Sequence, residues 1–500
     1  MTATTALYLL LGIPLFACPL VYLAGRLGVR SGGTAATARW LAIAAVLAAW
    51  VPFIVLVQNN QAQGELLAMV GSISLMVDGI SLLLAGTVLT LGTLVLVFSL
   101  PYMRGDDGEE KYYALMPAMM GAMIGLACAN DLFNLWVWFE VMAVSSYLLV
   151  AFYREEPGSL EAGVKYLVQS AVGSVLVLLG VALVFAHAKT LRLDEIAQVG
   201  FGPLGLAAGA LFVVGFGVKT ALVPLHTWLP DAHSQAPSGI SAMLSGVVIE
   251  AGLVAMLRTL GAMPASFSAW GALLLFFGGL NIVVGNLMAL RQTQVKRMLA
   301  YSSLAHMGYM LVGFGVAIGF GLVDAAAGGF FHLINHALMK GLAFLSAGLL
   351  LYALHIAKGD HTPLLVSDLN GAAQRYPVTA FALSLAVLAL GGLPPLAGFM
   401  SKWQIFAAGA ETRNLAVILL VVFAALNSVL SLAYYAPLVN RLYRREPSEV
   451  VLAGLPGSRL MGVPLVALMI GVVVLGFWPA LINGLTGPAA SSLLHMFGGN

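Results

Sequence analysis

The sequence predicts an all-α polytopic membrane protein with about fourteen transmembrane helices. Hydrophobic residues make up 60% of the 500 residues and charged residues only 9%, whereas soluble domains carry about 25% charged residues. Many apolar runs reach the roughly 20 residues that a helix needs to cross a bilayer. The sequence lacks the alternation of apolar and polar residues that marks a membrane β-barrel, so these runs are expected to be helices.

The fourteen predicted helices follow one another through short loops, none of which is long enough to form a soluble domain. The first has no basic region before its apolar run, so we expect it to be kept as a span and not cleaved as a signal peptide. The predicted ranges are 5–25, 39–57, 72–100, 112–129, 131–153, 162–188, 203–225, 236–261, 268–290, 296–320, 326–356, 374–408, 414–442 and 460–481.

The basic residues in the loops predict the orientation of the chain. Loops after odd-numbered helices hold fifteen lysines and arginines, whereas the other loops hold four. Because cytoplasmic loops carry the excess of basic residues, the odd-numbered loops are predicted to be cytoplasmic. We therefore expect a multi-pass protein of the cell inner (plasma) membrane with both termini outside.

Two predicted helices are interrupted by proline and glycine beside a lysine. Helix 7 contains "GVKTALVPLHTWLP" (217–230) with Lys219, and helix 12 contains "GGLPPLAGFMSKW" (391–403) with Lys402. Their matching positions predict that helices 4–8 and 9–13 are two copies of one five-helix unit. An odd number of helices per copy inverts the second copy, and broken helices in inverted repeats indicate an ion site near the membrane midplane.

This repeat divides the chain into four parts. We predict N-terminal helices 1–3 in residues 1–111, the first inverted repeat in 112–261, the second in 268–442 and the C-terminal helix 14 in 443–500.

Ionisable residues inside the apolar segments predict a function in ion movement. A charged side chain at the bilayer centre costs at least about 2.5 kcal/mol, and folding does not require one. We expect Glu140 and Lys219 to form an ion pair that controls the affinity of the lysine for its proton. The main candidates for a proton relay are Glu140, Lys219, Glu250, Lys340 and Lys402.

Four further residues are secondary candidates for the relay: His306, His332, His336 and Lys165. His332, His336 and Lys340 are spaced by four residues, so they lie on one face of helix 11. Lys165 lies near a helix end, where extension of its side chain to the membrane surface explains it as well as a relay does.

The sequence predicts no cofactor, metal or nucleic-acid site. Cys18 and Cys128 stand singly in apolar segments, so no cysteine cluster is available for zinc or an iron–sulfur centre. The sequence contains no nucleotide, quinone or iron–sulfur motif. Electrons for any redox-driven transport would therefore have to come through partner chains.

Five segments carry a resemblance to a known family. They are "DLFNLWVWFEVMAVSSYLLV", "GVKTALVPLHTWLPDAHSQAPSGISAMLSG", "VKRMLAYSSLAHMGYM", "HALMKGLAFLSAG" and "GGLPPLAGFMSKW". Over roughly helices 3 to 13 the chain resembles the antiporter-like subunits shared by respiratory complex I, membrane-bound hydrogenases and Mrp-type cation/proton antiporters. The resemblance implies a fourteen-helix subunit that works with other membrane subunits and membrane lipid in a larger complex.

The resemblance also implies roles for particular residues. The glutamate of the family on helix 5 falls on Glu140, its broken-helix lysine on Lys219 and its helix-11 lysine on Lys340. Lys402 is similar to the helix-12 residue of the Mrp D subunit and the complex I N subunit. Glu250 departs from the family pattern, since many members carry lysine or histidine near that position.

Three functions remain open at this point. The first is a subunit that translocates protons, with or without sodium, in an Mrp-type antiporter or in a redox pump of NADH:quinone oxidoreductase or hydrogenase type. The second is a solitary secondary transporter of a small solute. The third is an inert scaffold subunit of a membrane redox complex.

Overall fold

The computed structural model describes residues 1–200, 202–263, 267–359 and 362–498. Residue 201 of the predicted first repeat, residues 360–361 of the predicted second repeat and residues 499–500 of the predicted C-terminal part lie outside this description. The first part of the chain forms three long helices and an antiparallel β-hairpin. These elements are α1 (Ala3–Arg30), α2 (Ala36–Gln63), β1 (Leu66–Val70), β2 (Ile73–Val77) and α3 (Gly79–Tyr102).

The hairpin corrects the predicted start of helix 3 at residue 72. Gly71 turns the chain with a φ of 61°, a conformation that glycine adopts at little cost. Residues 73–77 then run back beside β1. The helix begins only at Gly79, because the Asp78 carboxylate accepts a hydrogen bond from the Ser81 amide at 2.8 Å and the Ser81 hydroxyl accepts one from the Asp78 amide at 2.7 Å. This reciprocal cap fixes the first turn of α3.

The middle of the chain contains the first interrupted segments. Its elements are α4 (Glu109–Cys128), α5 (Leu132–Val150), α6 (Pro157–Ala188), α7 (Leu193–Ile196), α8 (Pro203–Lys219), α9 (Trp228–Gln235), α10 (Ser238–Met243), a π-helical turn (Leu244–Val248) and α11 (Ile249–Gly261). Between α8 and α9 the chain is not helical, which is the break predicted in helix 7.

The next part repeats this combination of long and broken helices. Its elements are α12 (Phe267–Ala289), α13 (Val295–Phe320), α14 (Val323–Leu354), α15 (Ala372–Arg375), α16 (Pro377–Gly391), α17 (Ala397–Glu411), α18 (Leu415–Leu430) and α19 (Leu432–Leu442). The interruption between α16 and α17 is the break predicted in helix 12. The chain ends with α20 (Glu449–Leu452), α21 (Arg459–Phe477) and α22 (Asn483–Met496).

The fold class predicted from the sequence, a helical polytopic membrane protein, is confirmed. In the described ranges, eleven helical segments are long and apolar enough to cross a membrane, and the shorter apolar helices α8 and α16 are the first halves of the two broken helices. Each of the fourteen predicted ranges overlaps helical structure. The number of spans and the two inverted repeats stay predictions.

Burial inside the chain increases toward three helical segments. The most apolar stretch of α10–α11 is entirely buried and those of α13 and α14 are 89% buried, whereas α1, α2 and α6 reach only 39%. Side chains on α11, α13 and α14 therefore contact other helices of the same chain and are shielded from lipid.

A buried ion pair connects the start of α3 to the end of α11. The guanidinium Nη2 of Arg258 donates a hydrogen bond to Asp78 Oδ1 at 2.6 Å, and both side chains are at most 1% exposed. Removing one partner of a buried ion pair leaves the other charge without compensation, which is strongly destabilising.

We predict that Arg258→Leu destabilises the protein by about 3–5 kcal/mol, seen as a lower midpoint in thermal unfolding of the purified protein. The double variant Asp78→Asn/Arg258→Gln should lose less stability than Arg258→Leu, since it leaves no buried charge. Arg192→Gln is the matched control, because its ion pair with Asp194 is partly exposed and exposed pairs contribute about 0–1 kcal/mol. Equal midpoints for Arg258→Leu and Arg192→Gln would contradict the prediction.

Candidate functional site

The break between α8 and α9 starts at the lysine that the sequence singled out. Lys219 is the last residue of α8, and the chain then runs without helix to Trp228. Asn281 of α12 satisfies the backbone of this stretch: its amide nitrogen donates to the Ala221 carbonyl at 3.2 Å and its amide oxygen accepts from the Val223 amide at 2.9 Å. The buried break is thus stable because a side chain from the next predicted repeat replaces the lost helical hydrogen bonds.

The Lys219 ammonium lies in an aromatic site. The side chain is 1% exposed. Its Nζ donates to the Tyr166 hydroxyl at 2.8 Å and to the Ser170 hydroxyl at 3.5 Å, and lies 4.4 Å from the Tyr166 ring centroid. Trp228 stacks on Tyr166 with the ring centroids 3.9 Å apart. Aromatic faces attract a cation, so the side chains that contact the ammonium directly are neutral but favourable partners.

Gly252 of α11 leaves space for the Lys219 side chain to pack against this helix. A Cβ added at Gly252 would lie 3.0 Å from Lys219 Cγ, which is closer than ordinary packing allows. Gly252 stands two residues after Glu250, so the stem of the lysine passes beside the turn of α11 that carries the buried glutamate.

The expected ion pair between Glu140 and Lys219 is absent from the described residues. No carboxylate oxygen of Glu140 lies within 4 Å of the ammonium, which turns to Tyr166 on α6 instead. Glu140 is partly exposed, and its Oε1 is buried without a hydrogen-bond partner. Val137 and Val144, one helical turn before and after Glu140, are exposed, so Glu140 stands near the outer face of α5 with one carboxylate oxygen turned inward.

Glu250 contacts the predicted second repeat directly. Its Oε1 lies 2.7 Å from Nδ1 of His336 on α14, and both side chains are 0% exposed. The π-helical turn Leu244–Val248 immediately precedes the α11 turn that carries Glu250. Such turns are rare and frequently occur at functional sites. Because Glu250 is wholly inside the chain, it is not available to a neighbouring subunit.

Three histidines continue from this pair toward α17. The His336 and His306 rings stack with centroids 5.3 Å apart, and Nδ1 of His306 lies 3.0 Å from Nε2 of His332. Nδ1 of His332 in turn lies 2.8 Å from the Ser401 hydroxyl. Each imidazole can donate through one nitrogen and accept through the other, so the contacts from His306 through His332 to Ser401 can pass protons. His336 meets His306 by ring stacking, and its Nε2 is buried without a hydrogen-bond partner in the described part of the chain.

The two remaining lysines border the histidines. Lys340 donates to the Leu299 carbonyl at 2.8 Å and to the Ser302 hydroxyl at 2.5 Å, and Ser302 also hydrogen-bonds the Tyr435 hydroxyl. Lys402 directly follows Ser401. It donates to the Leu390 carbonyl and to the Ser428 hydroxyl, each at 2.8 Å.

The second break supplies the carbonyl that Lys402 uses. Leu390 stands near the end of α16, where the last carbonyls of a helix have no partner within it. Gly392 ends this helix with a φ of 81°, and a Cβ placed there would lie 3.5 Å from Lys402 Nζ. Both broken helices therefore place a lysine ammonium at the interruption.

We call this group of buried residues the central row, in which contacts join Glu250, the three histidines and Ser401, and the three lysines lie at its borders. Its members are Lys219, Glu250, His336, His306, His332, Ser401, Lys402 and Lys340. Two of the predicted relay residues are not part of it. Glu140 lies at the outer face, and Lys165 is 46% exposed in ion pairs with Glu161 at 2.7 Å and Asp231 at 2.9 Å.

Sequence reasoning missed the neutral members and neighbours of the central row. Tyr166, Asn281 and Ser401 have no charge and no spacing that distinguishes them from packing residues. A charged residue was also missed: Lys296, the first residue of the predicted helix 296–320, was included among the fifteen cations assigned to the loops. It is 5% exposed at the start of α13 and donates to the Ala236 carbonyl at 2.5 Å. Its position in the "VKRMLAY" segment, directly before an apolar helix, was the only available signal.

These features define an ion-translocating membrane protein of the antiporter class. A row of buried ionisable groups crosses the most buried helices, and both broken helices place a lysine beside it. Residues 129–428 match the family described as "NADH:quinone oxidoreductase/Mrp antiporter, TM", and residues 68–113 match "NADH-Ubiquinone oxidoreductase (complex I), chain 5 N-terminus". The chain belongs to this family of antiporter-like, proton-translocating membrane subunits.

Relatives from two organisms agree with this assignment. The chain is 35% identical over 396 residues to "F(420)H(2) dehydrogenase subunit N" of Methanosarcina mazei, which covers 77% of this chain and 78% of the relative. It is 37% identical over 411 residues to "NADH-quinone oxidoreductase subunit N 1" of Sorangium cellulosum, covering 77% of each chain.

Solved structures show the same fold. A chain of the membrane-bound sulfane sulfur reductase, an archaeal respiratory membrane complex, superposes with a TM-score of 0.87 at 26% identity over 98% of both chains. A chain of the Mrp complex from Dietzia sp. DQ12-45-1b superposes with a TM-score of 0.85 at 20% identity over 99% of both chains. Proteins of this fold thus function as subunits of multisubunit membrane complexes.

We predict that Tyr166→Phe slows proton translocation at least about tenfold, because a hydrogen bond to a charged group contributes roughly 1.5–3 kcal/mol. The variant keeps the aromatic ring beside Lys219 but removes the hydroxyl to which the Lys219 ammonium donates its hydrogen bond. The measurement is the proton-transport rate of the assembled complex in vesicles.

Tyr112→Phe is the control for this prediction. Tyr112 is also buried, and its hydroxyl bonds Ser99 at 2.7 Å outside the central row. Both variants lose one buried hydroxyl, so a purely structural effect would slow them equally. Wild-type transport by Tyr166→Phe would contradict the role given to this hydrogen bond.

Proposed function

We propose that this chain is the proton-translocating N-type subunit of a redox-driven complex in the cell membrane, and that protons move along the central row. The observation that carries the proposal is the continuous contact from Glu250 through His336, His306 and His332 to Ser401. These contacts lie inside helices that other parts of the same chain shield from lipid.

The lysines are proposed to load and release the protons. Each ammonium is held by hydroxyls, carbonyls or aromatic rings and not by a carboxylate within 4 Å. Burial disfavours the charged form of a lysine, and an approaching negative charge favours it. A change in nearby charge therefore shifts the proton affinity of each lysine.

Glu140 is proposed to supply that change for Lys219. Glu140 follows Phe139 in α5, and the Phe139 ring centroid is 5.7 Å from the ammonium. A swing of the lysine from Tyr166 toward α5 would form the ion pair that the sequence analysis expects. When the lysine returns to Tyr166, this ion pair would break. The lysine would then release its proton toward α11, where its side chain passes beside Gly252.

Two features favour a redox-driven complex over a gradient-driven antiporter. The relatives at 35% and 37% identity carry dehydrogenase and oxidoreductase names, whereas the Mrp likeness at 20% identity supports the fold alone. We further propose that helices 4–8 and 9–13 are inverted repeats and that both termini face outside. The fifteen-to-four bias of loop cations supports this orientation.

Purification of the chain with its natural partners tests the class of complex. We expect hydrophilic subunits with redox cofactors to co-purify and proton transport to depend on electron transfer. Co-purification of small membrane proteins alone, with sodium-coupled transport, would favour the Mrp type. Transport of a solute by the isolated chain would favour the solitary transporter and overturn the proposal.

We predict that Lys219→Ala abolishes proton transport while the complex still assembles, since alanine keeps the helix but removes the buried ammonium at the start of the break. The matched control is Lys165→Ala, which removes a lysine that is half exposed and outside the central row. Transport in vesicles and subunit composition are measured together. Loss of transport in both variants would contradict the assignment. Normal transport in both variants would also contradict it and would favour a scaffold role.

A further inference from the structure

A groove on the outer surface of the chain shares no lining residue with the central row. It has a volume of about 900 Å³ and is formed by the end of α14, the start of α16 and the first half of α21. Its walls are apolar, with Val378, Val463 and Ile470 each more than half exposed. Exposed aliphatic side chains in a membrane protein face acyl chains or a neighbouring protein.

Two arginines stand at one end of this groove. Arg375 precedes α16 and Arg459 begins α21, and both are exposed. Neither forms an ion pair with an acid within the described ranges. Arg375 uses one guanidinium nitrogen to donate to the Leu452 carbonyl at 2.5 Å, which fixes its position at the mouth of the groove. The mouth of the groove therefore carries two uncompensated positive charges.

The position of α21 in the bilayer puts these arginines at headgroup depth. The helix runs from Arg459 to Phe477 and is followed by Trp478, which is 64% exposed. Its 19 residues span about 28 Å, close to the roughly 30 Å thickness of the hydrocarbon core. Arg459 at one end and Trp478 at the other are the residue types that mark the two membrane–water interfaces.

The apolar wall has the length of an acyl chain. From Arg459 to Ile470 the helix advances about 16 Å toward the membrane centre, and Val463, Val466 and Ile470 line the groove over this distance. Gly462 lies on the same wall, and a Cβ added there would meet nothing within 4 Å. The groove is thus open beside this glycine and long enough for most of one chain.

We propose that this groove is a binding site for an anionic glycerophospholipid, with the phosphodiester on Arg375 and Arg459 and one acyl chain along α21. The guanidinium group suits this role because its donors match phosphate oxygens in pairs. Basic pockets between transmembrane helices bind anionic headgroups in this way. A zwitterionic lipid would offer the same acyl chain but would bring its own cation to the two arginines.

The test uses the assembled complex in phosphatidylcholine vesicles that contain a trace of phosphatidylglycerol with a photoactivatable group in its acyl chain. After illumination, the labelled peptides are mapped by mass spectrometry. We expect labelling within residues 459–470, and we expect unlabelled phosphatidylglycerol to suppress it whereas phosphatidylcholine does not.

Three variants define the site. Arg375→Gln and Arg459→Gln should each weaken competition by about fivefold, and the double variant by about thirtyfold. Gly462→Leu keeps both arginines but fills the groove, so it should also reduce labelling. Arg30→Gln is the control, since Arg30 is an exposed arginine at the end of α1, outside the groove, and it should leave labelling unchanged.

Several results would overturn the proposal. Equal suppression by phosphatidylcholine would show a non-selective lipid contact. Full labelling in the double arginine variant would remove the headgroup site. An unlabelled groove in the wild-type complex, together with loss of a neighbouring subunit from Gly462→Leu, would show that a protein covers this face.

Discussion

The hydrogen bond between Glu250 and His336 joins the two parts of the central row. A carboxylate buried in an apolar interior is tolerated only if it is protonated or paired, and here its partner comes from a helix 86 residues away in sequence. On one side of this contact the stem of Lys219 passes beside Gly252 on α11. On the other side the histidines lead from His336 toward Ser401, next to Lys402. The most buried helices of the chain surround this contact, so neither a lipid nor another subunit can reach Glu250 or His336 to provide an alternative partner.

A second constraint is that part of each break is buried inside the protein. Backbone groups freed there need partners inside the protein, and α12 supplies two of them from one helix. Asn281 bonds the break after Lys219, and Asn286 donates to the Asn427 carbonyl at 3.1 Å and accepts from Tyr434 at 2.9 Å where α18 gives way to α19. A carbonyl that has no backbone partner can accept a hydrogen bond from a lysine, as the Leu390 carbonyl does from Lys402. Because these partners are neutral, the lysine charges stay sensitive to any charge that approaches.

The sequence predicted the parts of this arrangement that carry a formal charge or a strong apolar pattern. Low charge content predicted the membrane, and lysines beside proline and glycine located both breaks. Lys165 shows the limit of that reasoning, because a lysine near a helix end looks the same whether it extends to the surface or faces the interior. The structure places it in surface ion pairs.

The remaining features depend on contacts between distant segments. Tyr166 and Trp228 around Lys219, and Ser401 beside His332, are neutral residues whose identity fits ordinary packing equally well. The partner of Glu250 could not be chosen among several histidines and lysines without the crossing of α11 and α14. The β-hairpin was missed because its ten paired residues are as apolar as the helix that follows them.

The central claim is that protons pass between the two parts of the row through Glu250. Its most direct test is the proton-transport rate of the assembled complex with Glu250→Gln, compared with the exchanged pair Glu250→His/His336→Glu. Glutamine keeps the shape of the side chain but cannot take up and release a proton, so transport should fall sharply with all subunits retained. The exchanged pair restores a titratable carboxylate–imidazole contact and should recover part of the rate. Wild-type transport by an intact Glu250→Gln complex would contradict the claim.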